Sequence, residues 1–143
     1  MSEADKLARR VADTLFSREG TGPAWAIKIE EARDGYARVS MRVRADMLNG
    51  HAMAHGGMIF ALADTAFAYA CNSRNENTVA QHASITFLAP ARVDDVLVAE
   101  AREVSRSGRS AVYAVSVRTD DGRVIAEFNG LSRTIGGAVI DEA

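Results

Sequence analysis

From Met58 to Cys71 every residue is apolar, aromatic or small except Asp64 and Thr65. A run of that kind reads as a helix buried all round. A lone carboxylic acid inside it is costly unless it acts, or bonds a backbone group nearby. Apolar surroundings raise a carboxyl pKa towards general-base work, and neighbouring donors oppose that rise. The run opens at His55-Gly56-Gly57. Glycines there let backbone N–H groups approach a ligand, and the positive end of the helix suits a carbonyl oxygen gaining negative charge. A sharp turn is the plainer reading of Gly56-Gly57. An acid that activates water and donors that hold an oxyanion are two parts of hydrolytic chemistry.

Their spacing sets a constraint. Asp64 lies eight residues beyond Gly56, which is about 12 Å along a helix at ~1.5 Å per residue. One carbonyl cannot touch both in a single chain. Two such helices, antiparallel across a twofold axis, would bring Asp64 of one near Gly56 of the other. If both residues act, the protein is at least a dimer.

Other reactive residues form no comparable set. His51, His55 and His82 lack the spacing of a metal site on one element, and no Cys or acidic partner completes one. His55 fits a turn-fixing role and His82 the polar face of a strand. Cys71, the single cysteine, excludes an intrachain disulfide and reads as a small core residue. There is no G-x-S-x-G elbow, P-loop or G-x-G-x-x-G pattern. Ser84 is a lone strand serine.

The elements that must position these groups are legible in the hydrophobic pattern. Leu7, Val11 and Leu15 recur every four residues and predict a short amphipathic helix over 4–16. Arg18 to Pro23 reads as a loop. Trp25, Ile27 and Ile29 alternate with polar or small residues, as do Ala37, Val39, Met41 and Val43, with Asp34-Gly35 as the hairpin turn between them. Four more strands are expected over 79–89, 95–105, 110–119 and 123–134, with turns at Ser107-Gly108 and Asp121-Gly122. The order is helix, two strands, long apolar helix, four strands. It predicts an α+β fold, one antiparallel sheet curved around the central helix, as a single domain over 1–143. A helix this apolar also needs cover on its far side, which a second subunit would supply.

Composition excludes several classes. The 143 residues carry a net charge of −2, with 48% hydrophobic and 25% charged residues. That balance gives no bulk attraction to nucleic acid or to an anionic membrane. The polar, acidic start Met-Ser-Glu-Ala-Asp-Lys is unlike a signal peptide, and no apolar run is long enough to span a membrane. The expected location is cytoplasmic.

The segment Asn49-Gly50-His51, then His55-Gly56-Gly57, then Leu62-Ala63-Asp64-Thr65-Ala66-Phe67-Ala68-Tyr69 resembles the hotdog-fold acyl-CoA thioesterases. It is most similar to their phenylacetate-pathway (PaaI-type) branch, and Ile85-Thr86-Phe87-Leu88-Ala89-Pro90 extends the likeness. The resemblance implies a hotdog fold, a six-stranded antiparallel sheet around a long central helix, paired into dimers and usually tetramers. It implies hydrolysis of acyl-CoA, phenylacetyl-CoA or a ring-hydroxylated form, in phenylacetate degradation. By position, Asp64 would be general base or nucleophile, and the N–H of Gly56 or Gly57 would polarise the thioester carbonyl. Asn49 would position the carbonyl or the attacking water, and His55 would hold the loop. No metal or redox cofactor is expected, CoA being part of the substrate. For its phosphates the arginine-bearing turn at Arg106, Gly108 and Arg109 is the first candidate, and Arg74 a lesser one. Phe60, Phe67 and Tyr69 are available to a flat acyl group, although aromatics on a buried helix are commonly core. The alternatives are a non-catalytic acyl-CoA-binding hotdog protein, which would gain little from a buried Asp64, and a thioesterase for benzoyl-type or medium-chain acyl-CoA. A hotdog dehydratase needs a histidine on the central helix, and Met58–Cys71 has none.

Overall fold

The computed structural model describes residues 1–142. Helix α1 spans Glu3–Arg18. Ser2 caps it, accepting the Asp5 N–H at 3.0 Å, and acidic residues occupy the first turn. It is a full 16 residues, as long as the central helix, where the sequence pattern had suggested a short one. A single turn, α2 (Thr21–Ala24), replaces part of the expected loop. Ala26 then takes a left-handed conformation at φ 53°. That reversal breaks the alternation begun at Trp25, so strand β1 starts only at Lys28.

Strands β1 (Lys28–Arg33) and β2 (Tyr36–Arg42) form a hairpin about Asp34-Gly35, where Gly35 holds φ 69°. Helix α3 (Gly56–Cys71) follows a 3-10 turn at Ala45–Met47. Then come β3 (Thr78–Phe87), β4 (Val96–Ser107), β5 (Ser110–Thr119) and β6 (Val124–Thr134). The β4–β5 turn is Gly108-Arg109, one residue later than expected. The sheet order is β1-β2-β4-β5-β6-β3, with every neighbouring pair antiparallel. All six strands contact α3, which lies across one face of the sheet. The expected hotdog arrangement is the one observed. No helix is long and apolar enough to cross a membrane.

The face of α3 towards the sheet buries Ile59, Leu62, Ala63, Ala66, Phe67 and Ala70 against inward residues of the strands, among them Val39, Leu97, Val115 and Phe128. The alanines let the helix backbone sit close to the sheet. Phe67 packs beside Tyr113 and Phe128, with ring centroids 5.5 and 5.8 Å away. Asn72 fixes the end of α3 to the start of β3. Its Nδ2 donates to the Ala68 and Thr78 carbonyls, and its Oδ1 accepts the Thr78 N–H.

The expectation that α3 is buried all round is corrected for the single chain. Gly57, Ala61, Asp64, Ala68 and Cys71 form a stripe at three- and four-residue spacing that stays half-exposed or exposed. One sheet covers one side of a helix, and α1 covers only part of the rest. Beside that stripe β3 is an edge strand, with Val79 46% and Phe87 50% exposed.

Gly130 on β6 faces the tip of the Phe67 ring. A Cβ there would lie 2.7 Å from Phe67 Cζ, inside a packed aromatic cluster. We expect Gly130→Ala to lower stability by about 1–3 kcal/mol through overpacking. Urea melts should show a lower midpoint at unchanged slope, and an unchanged midpoint would mean that the cluster yields freely.

Candidate active site

At the start of α3, His55 is the N-cap and its Nδ1 accepts the Gly57 N–H at 2.8 Å. That bond places the ring proton on Nε2. The His55 N–H donates to the Met47 carbonyl at 2.8 Å, tying the cap to the preceding loop. The Met58 and Ile59 N–H groups both reach the His55 carbonyl. Of the first helical N–H groups, Gly56 is therefore the one without an acceptor among the described residues. Of the two glycines singled out in the sequence, Gly57 is occupied by the cap and Gly56 is the open donor.

Asn49 organises the loop before the cap. Its Oδ1 accepts the N–H groups of His51 at 2.9 Å and Met53 at 3.2 Å, and its own N–H donates to the Met53 carbonyl. Its Nδ2 has no partner among the described residues. Asn49 and Gly56 line one groove of about 400 Å³, walled by Ile59 and by the end of β3 at Phe87 and Leu88.

Asp64 sits elsewhere. It is half-buried on the outer stripe of α3, and burial alone raises its carboxyl above the ordinary aspartate value. No hydrogen bond or ion pair reaches it among the described residues, so the reading in which it bonds a backbone group is not realised. It borders two clefts. One, of about 350 Å³, lies between α3 and the end of α1 and includes Glu19, Thr21 and Tyr69. The other, of about 230 Å³, lies against the start of β3 and includes Cys71 and Thr78. Neither shares a residue with the Asn49–Gly56 groove. One chain thus holds the donor and the acid on the same helix but in separate clefts.

The remaining sequence candidates have mixed placements. Phe67 is 1% exposed and belongs mainly to the aromatic core, although it touches the smaller Asp64 cleft. Phe60 is half-buried, edge-on to Phe128 at 5.3 Å. Cys71 has its thiol pushed up to about 12, by burial first and by the Asp64 charge second, which removes it as a nucleophile. Arg106 reaches Glu76 at 3.3 Å, and Arg109 is exposed on the turn with Gly108 at φ 61°. Arg74, the lesser phosphate candidate, is held by Asp34 through Nε at 2.8 Å and by Glu103 through both terminal guanidinium nitrogens, so its charge is already met. His51 and His82 are exposed, and neither lines a cleft that Asp64 borders. Sequence reasoning named Tyr69 only as an aromatic near the acid and missed Glu19 and Thr21. Tyr69 lies five residues past Asp64, but its partner Glu19 is 50 residues away in sequence, and no spacing rule connects them.

The Thioesterase superfamily model matches residues 51–126. The chain is 39% identical to the acyl-coenzyme A thioesterase PaaI of Escherichia coli over 92% of this chain and 94% of that protein. The structure of the E. coli PaaI protein from the phenylacetic acid degradation operon superposes with a TM-score of 0.93, covering 95% of this chain and 99% of that one. A hypothetical thioesterase protein of Streptococcus pneumoniae, solved with coenzyme A, is 28% identical with a TM-score of 0.75 over 78% of this chain and 90% of its own. The chain belongs to the thioesterase superfamily, in the PaaI-type branch of the hotdog-fold acyl-CoA thioesterases.

Proposed function

We propose that this chain hydrolyses acyl-CoA thioesters, preferring phenylacetyl-CoA or its ring-hydroxylated forms, at a site shared between two copies. The observation that carries this reading is Asp64, a raised, half-buried carboxyl without a partner, on the same helix as the open Gly56 N–H. A helix holds them about 12 Å apart, at ~1.5 Å per residue, so the second copy must supply one of them. The exposed stripe of α3 and the unpaired edge of β3 adjoin each other and offer the surface for that copy. The E. coli relative's name supports the acyl-CoA class, and the streptococcal relative was solved with coenzyme A. The phenylacetate assignment rests on the E. coli relative.

In the reaction, the Gly56 N–H of one copy polarises the thioester carbonyl and the Asn49 amide positions it. Asp64 of the other copy takes a proton from water while the water oxygen attacks the carbonyl carbon. The tetrahedral oxyanion then collapses, the C–S bond breaks, and the CoA thiolate leaves and is protonated. Direct attack by Asp64 through an anhydride is the variant of this step. His55 holds the loop by occupying Gly57. Arg109 and Arg106 lie at an exposed hairpin tip and suit the CoA phosphates. A dimer of dimers in the cytoplasm completes the proposal, with no resident cofactor.

Thiol release from a panel of arylacetyl-, benzoyl- and alkyl-CoA thioesters tests the reading. Wild type should favour the arylacetyl esters, and Asp64→Asn should lose at least roughly a hundredfold in kcat while retaining ligand affinity. An unchanged rate in Asp64→Asn would remove the acid from the mechanism. Mixing tests the shared site. In a dimer of one Gly56→Pro chain, which loses that N–H at the first helical position where proline is accommodated, and one Asp64→Asn chain, one site carries both changes and the other carries neither. Two nearly inactive variants, unfolded and refolded together, should recover about a quarter of wild-type activity. No recovery, with mixed dimers shown to form, would place both residues in one chain's site.

The raised Asp64 carboxyl also sets a pH dependence. Burial favours the protonated form, so the group's contribution to stability is greatest below the ordinary aspartate range and is lost as pH rises through the raised value. Asp64→Asn should therefore raise Tm more at pH ~7 than at pH ~4. Equal shifts at both would mean that the carboxyl is not perturbed in the assembled protein.

A further inference from the structure

The cleft between α3 and the end of α1 has a use that the hydrolytic step does not require. Asp64 and Ala68 stand in one row of α3, and Tyr69 heads the adjacent row five residues on, ~7.5 Å further along the axis. Leu15 and Arg18 of α1, and Glu19 and Thr21 just beyond it, line the same cleft. The cleft thus combines the acid, apolar walls at Leu15 and Ala68, and a polar cluster about Glu19. At about 350 Å³ the cleft has room for a methylene and an aromatic ring.

The polar cluster is built. Tyr69 is 1% exposed, and its hydroxyl donates to Glu19 Oε1. Thr21 Oγ1 donates to Glu19 Oε2 at 3.0 Å. Burial, and then the Glu19 charge, push the Tyr69 phenol up, so it remains a neutral donor. Each carboxylate oxygen keeps a second acceptor site, so Glu19 is fixed from behind and can still take a donor from the cleft. An acyl group ending in a hydroxyl satisfies it. An apolar end strips water from the anion without replacing it, and a carboxylate end meets like charge.

We infer that Glu19, held by Tyr69 and Thr21, is the acyl-specificity residue of this enzyme, selecting arylacetyl groups whose ring ends in a hydrogen-bond donor. The inference rests on the arylacetyl thioesterase reading and adds to it a residue on a different helix from the acid. It also divides the shared site. The copy that supplies Asp64 supplies the acyl cleft, and the copy that supplies Gly56 takes the carbonyl and the CoA arm.

The test is kcat/KM for 4-hydroxyphenylacetyl-CoA against phenylacetyl-CoA, with a carboxymethyl-phenylacetyl-CoA as the acidic member. Wild type should favour the hydroxylated ester by roughly 10- to 100-fold, the worth of a hydrogen bond to a charged group. Glu19→Ala should bring that ratio close to one while phenylacetyl-CoA turnover persists, and Glu19→Gln, which keeps an acceptor, should retain part of it. Thr21→Val, on the exposed side of the cluster, is the second variant if Glu19→Ala fails to fold, and should lower the ratio without abolishing it. A ratio that is unchanged in these variants, or a wild-type preference for the acidic ester through neighbouring Arg18, overturns this inference alone. No thiol release from any arylacetyl ester would instead overturn the functional reading beneath it.

Discussion

The rigidity of α3 is the constraint on which the rest of the molecule depends. Once Gly56–Cys71 is a continuous helix, the open N–H at its start and the carboxyl of Asp64 are fixed at a distance that no loop movement can close. The surrounding elements are arranged to keep that helix in place rather than to bend it. All six strands contact it, Asn72 ties its end to β3, and His55 ties its start to the 3-10 turn. In the proposed site the chain therefore presents two separate halves, which symmetry would bring together. A C2 axis would satisfy both halves of the proposed site at once, each copy giving the other what it lacks.

Electrostatics sharpen the contrast between Asp64 and the other acids. This chain pairs its charges freely: Arg74 joins Asp34 and Glu103, Arg44 joins Asp46, and Arg123 reaches Asp95. Those pairs lie on hairpins and loops, where partial exposure makes each worth little. Asp64 has no such partner, and its pKa moves in the direction that desolvation alone dictates. An arginine nearby would have lowered that pKa and made the carboxylate a poorer base. The small residues around it, Ala61 and Ala68, supply neither charge nor hydrogen bond.

Much of this was legible in sequence because it is local. The lone acid in an apolar run, the Gly-Gly helix start, the Asp34-Gly35 hairpin and the alternation of β5 are all set by neighbours a few residues apart. The misreadings have physical reasons. Ala26 adopts a left-handed turn that no propensity rule assigns to alanine, and so β1 begins late. Hydrophobic periodicity reports that α3 is apolar all round, but it cannot say which flank the same chain covers. The choice between Gly56 and Gly57 turned on a single bond from Gly57 to His55 Nδ1, which only coordinates reveal. The Glu19–Tyr69 pair joins two helices across most of the N-terminal half, and each residue alone looks ordinary.

The half-exposed stripe then acquires a reason for its composition. Gly57, Ala61 and Ala68 are too small to fill a hydrophobic surface, and on a monomer they would be indifferent. On a helix that must lie against its own copy, small side chains are what allow two backbones to approach closely, and a leucine at Ala61 or Ala68 would hold them apart. In that setting the distance between the helices governs how near Asp64 of one copy comes to Gly56 of the other. Packing at the twofold axis and catalytic geometry would be the same variable. A chain that keeps its acid bare, its donor open and the face between them small has the composition such an arrangement requires.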